Sequence, residues 1–343
     1  RMSTVYMPGH KITMLPDEVV NAYTLLEGGD RPAVSLYVRF DEATLELQSS
    51  ETKLERVPIV ANLRHDQLDS IVTQPWLEDA SFKNESTPEA AANLRAPLSF
   101  LFRLAKQLKA QREVVRGKPE NFNRPDYNFR LVGNDGEPDG SEQVQITTRQ
   151  RGAPLDLIVS EAMILANSSW GGWLGELGVP GLYRSQASLA PGIKVRMGTR
   201  ALPHAGLGVK SYAWSTSPLR RYTDLVNQWQ IIACARHGKT AALAAPFKPK
   251  DADLFSILSG FDAAYATYNA YQGGMERFWT LKYLEQQGIT ELEVTVIKDI
   301  QNGALVRADT LPLVFPVAGQ QERGARLRVK LGEIDEIALD VHG

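Results

Sequence analysis

The sequence predicts an α+β protein in two parts: mixed sheets with long helices over residues 1–287, then a small all-β barrel over residues 288–343. Three observations predict it. Up to Gln287, long segments with helical spacing of apolar residues are interleaved with strand-like alternation. At Gly288 the texture changes to short alternating runs separated by turn residues. The length, 343 residues, exceeds what one compact core ordinarily organises, so two units are expected.

In chain order, residues 32–48 alternate apolar and polar positions on either side of Asp41-Glu42-Ala43, the pattern of two strands with one buried face. Leu101, Leu104, Ala105 and Leu108 share a helix face, and Pro97 kinks or restarts that helix near its beginning. Arg103, Lys106, Lys109 and Arg112 lie off that face. The plain reading is a solvated face; the alternative is contact with a polyanion. Residues 117–125 read as loop, and 127–132 and 143–148 as strands. Pro154 stands where a helix start welcomes proline. Leu155, Ile158, Val159, Ala162, Met163 and Ala166 follow at helical spacing and predict a long helix facing the core.

Residues 187–208, rich in Gly, Pro and Ala, read as loop. A second long helix is expected from Ser217-Pro218 through Leu225, Trp229 and Ile232. Residues 252–287 are helical again, with Phe255, Leu258, Phe261, Tyr265 and Tyr268 at core spacing. Beyond Gly288, residues 292–296, 325–331 and 338–341 belong to a set of short strands that suits a small barrel of the oligonucleotide-binding (OB) type.

Composition narrows the function. Hydrophobic residues make up 43% and charged residues 23%, ordinary for a globular chain. A net charge of −2 excludes a chain that is basic overall, so any polyanion site must come from local clustering. Cys234 is the one cysteine, which excludes an internal disulfide and suits a buried thiol in a cytoplasmic protein. No apolar run reaches membrane-spanning length. The text opens Arg1-Met2-Ser3, which reads as a processed chain or a piece of a longer one.

One stretch answers the need for clustering. Residues 177–223 hold Arg184, Lys194, Arg196, Arg200, Lys210, Arg220 and Arg221 and no Asp or Glu, with Tyr183, Tyr212, Trp214 and Tyr222 interleaved. Cations neutralise phosphates and flat rings stack on unpaired bases, so the strip points to single-stranded nucleic acid. The alternative is that these arginines pair with carboxylates elsewhere in the fold. With Ser217 as N-cap and Pro218 in the first helical position, Arg220 and Arg221 would fall in the first turn, at the positive end of the helix dipole. Cations there are unfavourable for the helix and invite an anion.

The run Ser217-Pro218-Leu219-Arg220-Arg221-Tyr222-Thr223-Asp224 resembles the signature of the ribonuclease II family, the RNB catalytic domain. Residues 203–208 with Tyr212 resemble its lead-in. Tyr6-Met7-Pro8-Gly9 with Met14-Leu15-Pro16 is similar to the family's Tyr-x-Pro box, and residues 159–167 to its central helix. The resemblance spans residues 1–287 and implies an RNB domain lacking its N-terminal metal-binding segment, with an RNA-binding barrel after it.

It also implies processive 3′→5′ hydrolysis of single-stranded RNA to nucleoside monophosphates with magnesium. Arg220 would be the catalytic arginine on the scissile phosphate, and Tyr6 a stacking residue at the terminal nucleotides. Arg184, Lys210, Tyr212 and Arg221 would be RNA contacts, and His204 a scaffold or phosphate contact. Ser160 stands where many members carry an acid, His65 where a bacterial member has a channel tyrosine, and Gln272 where glutamate is frequent. The span from Tyr183 to His204 is shorter than in typical members. The family's magnesium-binding aspartates precede the Tyr-x-Pro box, so no metal ligand is expected in this chain; Glu78-Asp79 reads as a solvated turn. Two readings follow: an exonuclease whose metal ligands come from an upstream segment, in the same or a separate chain, or an RNA-binding protein with a degenerate RNB fold.

Overall fold

The computed structural model describes residues 1–83, 89–121 and 124–343. The hairpin β1 (Val5–Met7) and β2 (His10–Ile12) is followed by helix α1 (Asp17–Tyr23) and a long ribbon, β3 (Gly29–Phe40) with β4 (Leu47–Ile59). Short helices α2 (His65–Leu68), α3 (Gln74–Glu78) and α4 (Glu89–Asn93) lead into α5 (Arg95–Arg116). A second hairpin, β5 (Asp126–Val132) and β6 (Gln143–Arg149), precedes α6 (Pro154–Glu176). Strands β7 (Tyr183–Ser185) and β8 (Arg196–Gly198), helices α7 (Tyr222–His237) and α8 (Ala241–Ala244), and the 36-residue α9 (Ala252–Gln287) follow. Strands β9 (Glu291–Ile300), β10 (Gly303–Ala308), β11 (Val314–Ala318) and β12 (Arg326–Lys330) complete the described elements.

Two compact units emerge, and both are discontinuous in sequence. The first takes Arg1–Ser3, Thr13–Phe122 and Gly152–Ala264; the second takes Thr4–Ile12, Asn123–Arg151 and Tyr265–Gly343. The texture change at Gly288 therefore marks the end of α9, while the units divide within that helix.

In the first unit the ribbon β3–β4 turns at Asp41, whose carboxylate caps the N–H groups of Ala43 and Thr44 at 2.9 and 2.7 Å. Helix α5 stops at Gly117, which adopts φ 80°, the left-handed geometry that glycine supplies at a helix end. Its Leu104 and Ala105 are buried as the spacing requires, together with Leu98 and Phe102, whereas Leu101, expected on the same face, is exposed and Leu108 is half-buried. Pro97 lies in its first turn, where a proline costs no hydrogen bond. The expected solvated face does not hold throughout, because Arg112 is buried. Glu78, expected on a turn, ends helix α3 and pairs with Lys106.

Helix α6 starts at Pro154 as expected, but its inner face is different. Val159 and Met163 are exposed, whereas Glu161, Asn167, Trp170, Gly171 and Leu174 are buried. Three apolar clusters hold the unit: one around Trp76 and Phe102, one around Trp170, Tyr183 and Ile231, and one around Leu182, Val226 and Leu254. Phe255, expected in the core, is exposed, and Leu254 beside it is buried instead.

In the second unit β11-β10-β9-β12 form one antiparallel sheet over a core of Leu281, Leu284, Val294, Val306 and Phe315. Residues 338–341, expected as a strand, form a turn closed by the Asp335–Asp340 bridge. The last residues instead join the sheet's edges. Gly343 N–H donates to Pro316 O, Ala318 N–H to Gly343 O, and Gly332 N–H to His342 O.

Candidate functional site

The acid-free strip of residues 177–223 lies wholly in the first unit. It is loop with one short ladder, β7 against β8, which composition alone did not reveal. Helix α7 starts at Tyr222, five residues later than Ser217. The reason is tertiary. Asp224, fully buried, takes the Ser217 N–H on Oδ2 at 2.9 Å, and the Arg220 and Arg221 N–H groups both donate to Ser217 O, closing a tight turn ahead of the helix. Arg221 becomes the N-cap residue with extended φ −135°, bridged to Ser3. Ser217 is thus not the cap, and the two arginines precede the first helical turn.

The neighbouring arginines have different surroundings. Arg221 is buried; its Nη2 donates to Asp224 Oδ2 at 2.9 Å and its guanidinium lies over the Trp214 ring at 4.0 Å. Arg220 is exposed, and among the described residues its guanidinium meets no carboxylate. Its carbonyl receives the Ser3 hydroxyl at 3.1 Å, which fixes the backbone while the side chain remains accessible.

Amide side chains from two helices, buried at Asn167 and Asn227 and half-buried at Gln228, hold the approach to this turn. Asn167 of α6 accepts the Ala213 N–H on its carbonyl at 3.2 Å and the Ser215 N–H on Oδ1 at 2.8 Å. From α7, Asn227 donates to Trp214 O at 2.7 Å and Gln228 to Ser215 O at 2.8 Å. Each spares a buried loop the cost of an unpaired backbone group.

The interleaved aromatics do not form a row of open platforms. Tyr183 is buried and donates its hydroxyl to Gly171 O at 2.8 Å; burial pushes its pKa upward. Trp214 lies under the guanidinium of Arg184 at 4.1 Å as well as that of Arg221. Tyr212 meets His204 edge-on at 5.9 Å and receives a long Asn167 amide bond at 3.4 Å. Tyr222 packs edge-on against Trp229.

His204 is buried in the turn of residues 204–208. Its N–H donates to Val209 O, and its Nδ1 accepts the Leu207 N–H at 3.2 Å. Burial, helped by the charge of Arg184, holds the imidazole below its usual pKa and therefore neutral. This is a scaffold's environment. Lys210, just beyond the turn, is exposed, as are Lys194, Arg196 and Arg200.

The remaining expected residues stand apart. Ser160 bonds back to Leu157 O at 3.2 Å within α6, and His65 is exposed at the start of α2. Tyr6 belongs to the second unit, where its side chain is 46% exposed and its N–H is held by Gln272 Oε1 at 2.9 Å. An amide at position 272 therefore does what a carboxylate could also do for this bond.

A cleft of about 810 Å³ between the β3–β4 ribbon and helices α5 and α6 is walled by Leu36, Phe100, Leu104 and Leu165. None of the expected site residues lines it, and its walls are mainly apolar. It does not have the character of a phosphate track. Among the described residues no group of three His, Cys, Asp or Glu side chains is placed to hold a metal ion. No helix among them is long and apolar enough to cross a membrane.

The RNB domain family model matches residues 1–196 and 193–237. The chain belongs to the RNB domain family. The mitochondrial exoribonuclease II of Saccharomyces cerevisiae is 24% identical over 360 residues, covering 92% of this chain and 34% of the yeast protein. RNase R of Mycoplasma genitalium, solved in complex with ribose-methylated single-stranded RNA, superposes with a TM-score of 0.75 at 16% identity over 99% of this chain and 62% of its own. Yeast Ssd1, described as a pseudonuclease, superposes with a TM-score of 0.62 at 14% identity over 96% of this chain and 44% of its own. The RNB chain thus spans about a third of the yeast exoribonuclease, and the structural likenesses establish its fold.

Proposed function

We propose that this chain is the RNA-handling part of an RNB-type exoribonuclease that removes nucleotides from the 3′ end of single-stranded RNA, with Arg220 neutralising charge on the scissile phosphate. One observation carries the reading. Arg220 is exposed, among the described residues without a carboxylate partner, on a turn fixed by Asp224 and Ser3, at the end of a strip with seven cations and no acid. A guanidinium so placed can fork onto two phosphate oxygens. Lys210 and Arg200 extend the positive surface, Arg184 and Arg221 stiffen it through Trp214, and His204 with Tyr212 supports it from behind.

Tyr6 presents its ring for stacking on a base, and Ser160 and His65 are weaker candidates for RNA contact. In this reading the magnesium that activates water is held by residues outside this sequence, in the same polypeptide or another chain.

A second reading, an RNA-binding chain that does not cut, is favoured by the pseudonuclease neighbour. The two separate in one experiment. The complete protein is incubated with 3′-labelled and 5′-labelled single-stranded RNA, with and without magnesium. Magnesium-dependent release of labelled mononucleotide from the 3′-labelled strand, nearly abolished by Arg220→Ala, supports the exonuclease. Tight binding without release supports the binder. Affinity that stays flat between low and physiological salt defeats both, because phosphate neutralisation must release counterions.

A further inference from the structure

A guanidinium has five N–H donors, and Arg112 spends all of them. Nε and Nη2 fork onto Glu161 at 3.1 and 2.5 Å. Nη1 and Nη2 reach Glu120 at 2.6 and 3.2 Å. The last donor, on Nη1, goes to the Leu207 carbonyl at 2.7 Å. The three side chains are nearly closed to solvent, at 9% exposure for Arg112, 9% for Glu120 and 3% for Glu161. Burial works against the cation, but the two carboxylates outweigh it and raise the guanidinium's pKa.

One guanidinium is thus shared between two carboxyl groups, all three nearly away from water. Apolar replacements for such clusters are often neutral or stabilising, so stability alone is a poor reason for this one. What the cluster does fix is the backbone of residues 206–208. Arg116, one turn further along α5, donates from Nε to Gly206 O at 2.8 Å. Gly206 N–H in turn donates to Gln186 Oε1 at 3.1 Å. Gly208, at φ 68°, sits so close to the Arg112 carbonyl that a Cβ there would lie 2.2 Å from the oxygen. Three successive residues are thereby seated on the end of α5. In sequence Arg200 precedes the turn of residues 204–208 by four residues and Lys210 follows it by two, and both are exposed.

We infer that Arg112, with Glu161 and Glu120, is a positioning residue for RNA: it never meets the strand, but it sets the turn from which Arg200 and Lys210 reach the phosphates. This rests on the RNA reading proposed above. Two variants of the 343-residue chain test it. The triple variant Arg112→Met/Glu120→Gln/Glu161→Gln replaces the cluster by uncharged groups of similar size. Arg112→Lys keeps the charge but offers three donors in place of a planar fork.

Thermal midpoint, amide exchange at residues 207–209 and binding of a fluorescent single-stranded oligouridylate at several salt concentrations are compared with wild type. The triple variant should melt near wild type, exchange faster in the turn, and show a slope of log K against log salt smaller by about 2, one for each displaced cation. Arg112→Lys should fall between. A folded triple variant with the wild-type slope and affinity overturns the inference, as does unchanged exchange in the turn. If the triple variant does not fold, a wild-type slope in Arg112→Lys overturns it equally. A wild-type chain that fails to bind the oligonucleotide overturns the functional reading and the RNA clause with it; the exchange data then decide the anchoring on their own.

Discussion

Arg221 Nη2 lies 2.9 Å from Asp224 Oδ2, and the same oxygen holds the Ser217 N–H at 2.9 Å, so one buried carboxylate ties an arginine side chain to the turn that precedes it. The adjacent Arg220 takes no part in this. Two consecutive arginines in one motif therefore divide their work, one inward and one outward.

That division is measurable. Arg221→Ala strips a fully buried carboxylate of its cation and should cost about 3–5 kcal/mol. Arg220→Ala, at an exposed position, should change stability by no more than about 0.5 kcal/mol while weakening RNA binding. Urea denaturation and RNA titration of both variants check this. Equal losses of stability would refute the split.

Gly208→Ala should be far worse than Gly117→Ala. Both glycines adopt left-handed backbone, at φ 68° and 80°, so both substitutions incur the strain of about 1–2 kcal/mol for that region. At Gly117 an added Cβ meets nothing within 4 Å, whereas at Gly208 it meets the Arg112 carbonyl at 2.2 Å. The difference between the two denaturation midpoints isolates the contact. Matching midpoints would mean that the turn does not sit against α5.

His204 predicts a pH dependence of stability. Its folded pKa lies below the reference value of 6.5, through burial first and the charge of Arg184 next. Well above pH 6.5 the imidazole is neutral in both states and contributes nothing to the slope. As pH falls below 6.5, the unfolded chain takes up the proton first, so stability declines until the folded pKa is reached. His204→Gln removes this component. The stability advantage of wild type over that variant should shrink between about pH 7 and pH 5. A constant or growing advantage would contradict a buried neutral ring.

Cys234 provides an internal reporter of unfolding. It is 1% exposed, and burial pushes its thiol pKa up to about 11. The thiolate is the reactive form, so an aromatic disulfide reagent at pH near 8 should label the folded chain slowly and the denatured chain completely. Rapid labelling without denaturant would show that the segment opens readily.

Much of the fold was legible because local signals and tertiary demands agreed. Asp41 stood between two alternating runs and caps the turn of the β3–β4 ribbon. Pro154 opened α6, and residues 252–287 matched α9. The start of α7 was misread because Ser217-Pro218 is a strong local helix signal, overruled by Asp224 capturing the Ser217 N–H and by the pairing of Arg221 with Ser3. The inner face of α6 was misread because its buried positions include Glu161 and Asn167, which a hydrophobic pattern discards. Glu161 within Val159-Ser160-Glu161-Ala162-Met163-Ile164 was nevertheless a clue: an acid in an apolar run needs a cation, and Arg112 supplies it. The aromatics of the strip could not be sorted into open and buried from spacing, since Tyr183 and Tyr212 differ only in what the fold lays over them.

Among the described residues the segment 213–217 has no strand partner of its own; Asn167, Asn227, Gln228 and Asp224 hold its backbone through side chains and one helix carbonyl. Its conformational entropy is thus surrendered when the chain folds, before any ligand arrives. An oligonucleotide meeting such a surface has only its own freedom to lose, so calorimetric titration should register the loss on the ligand's side and little ordering of the protein.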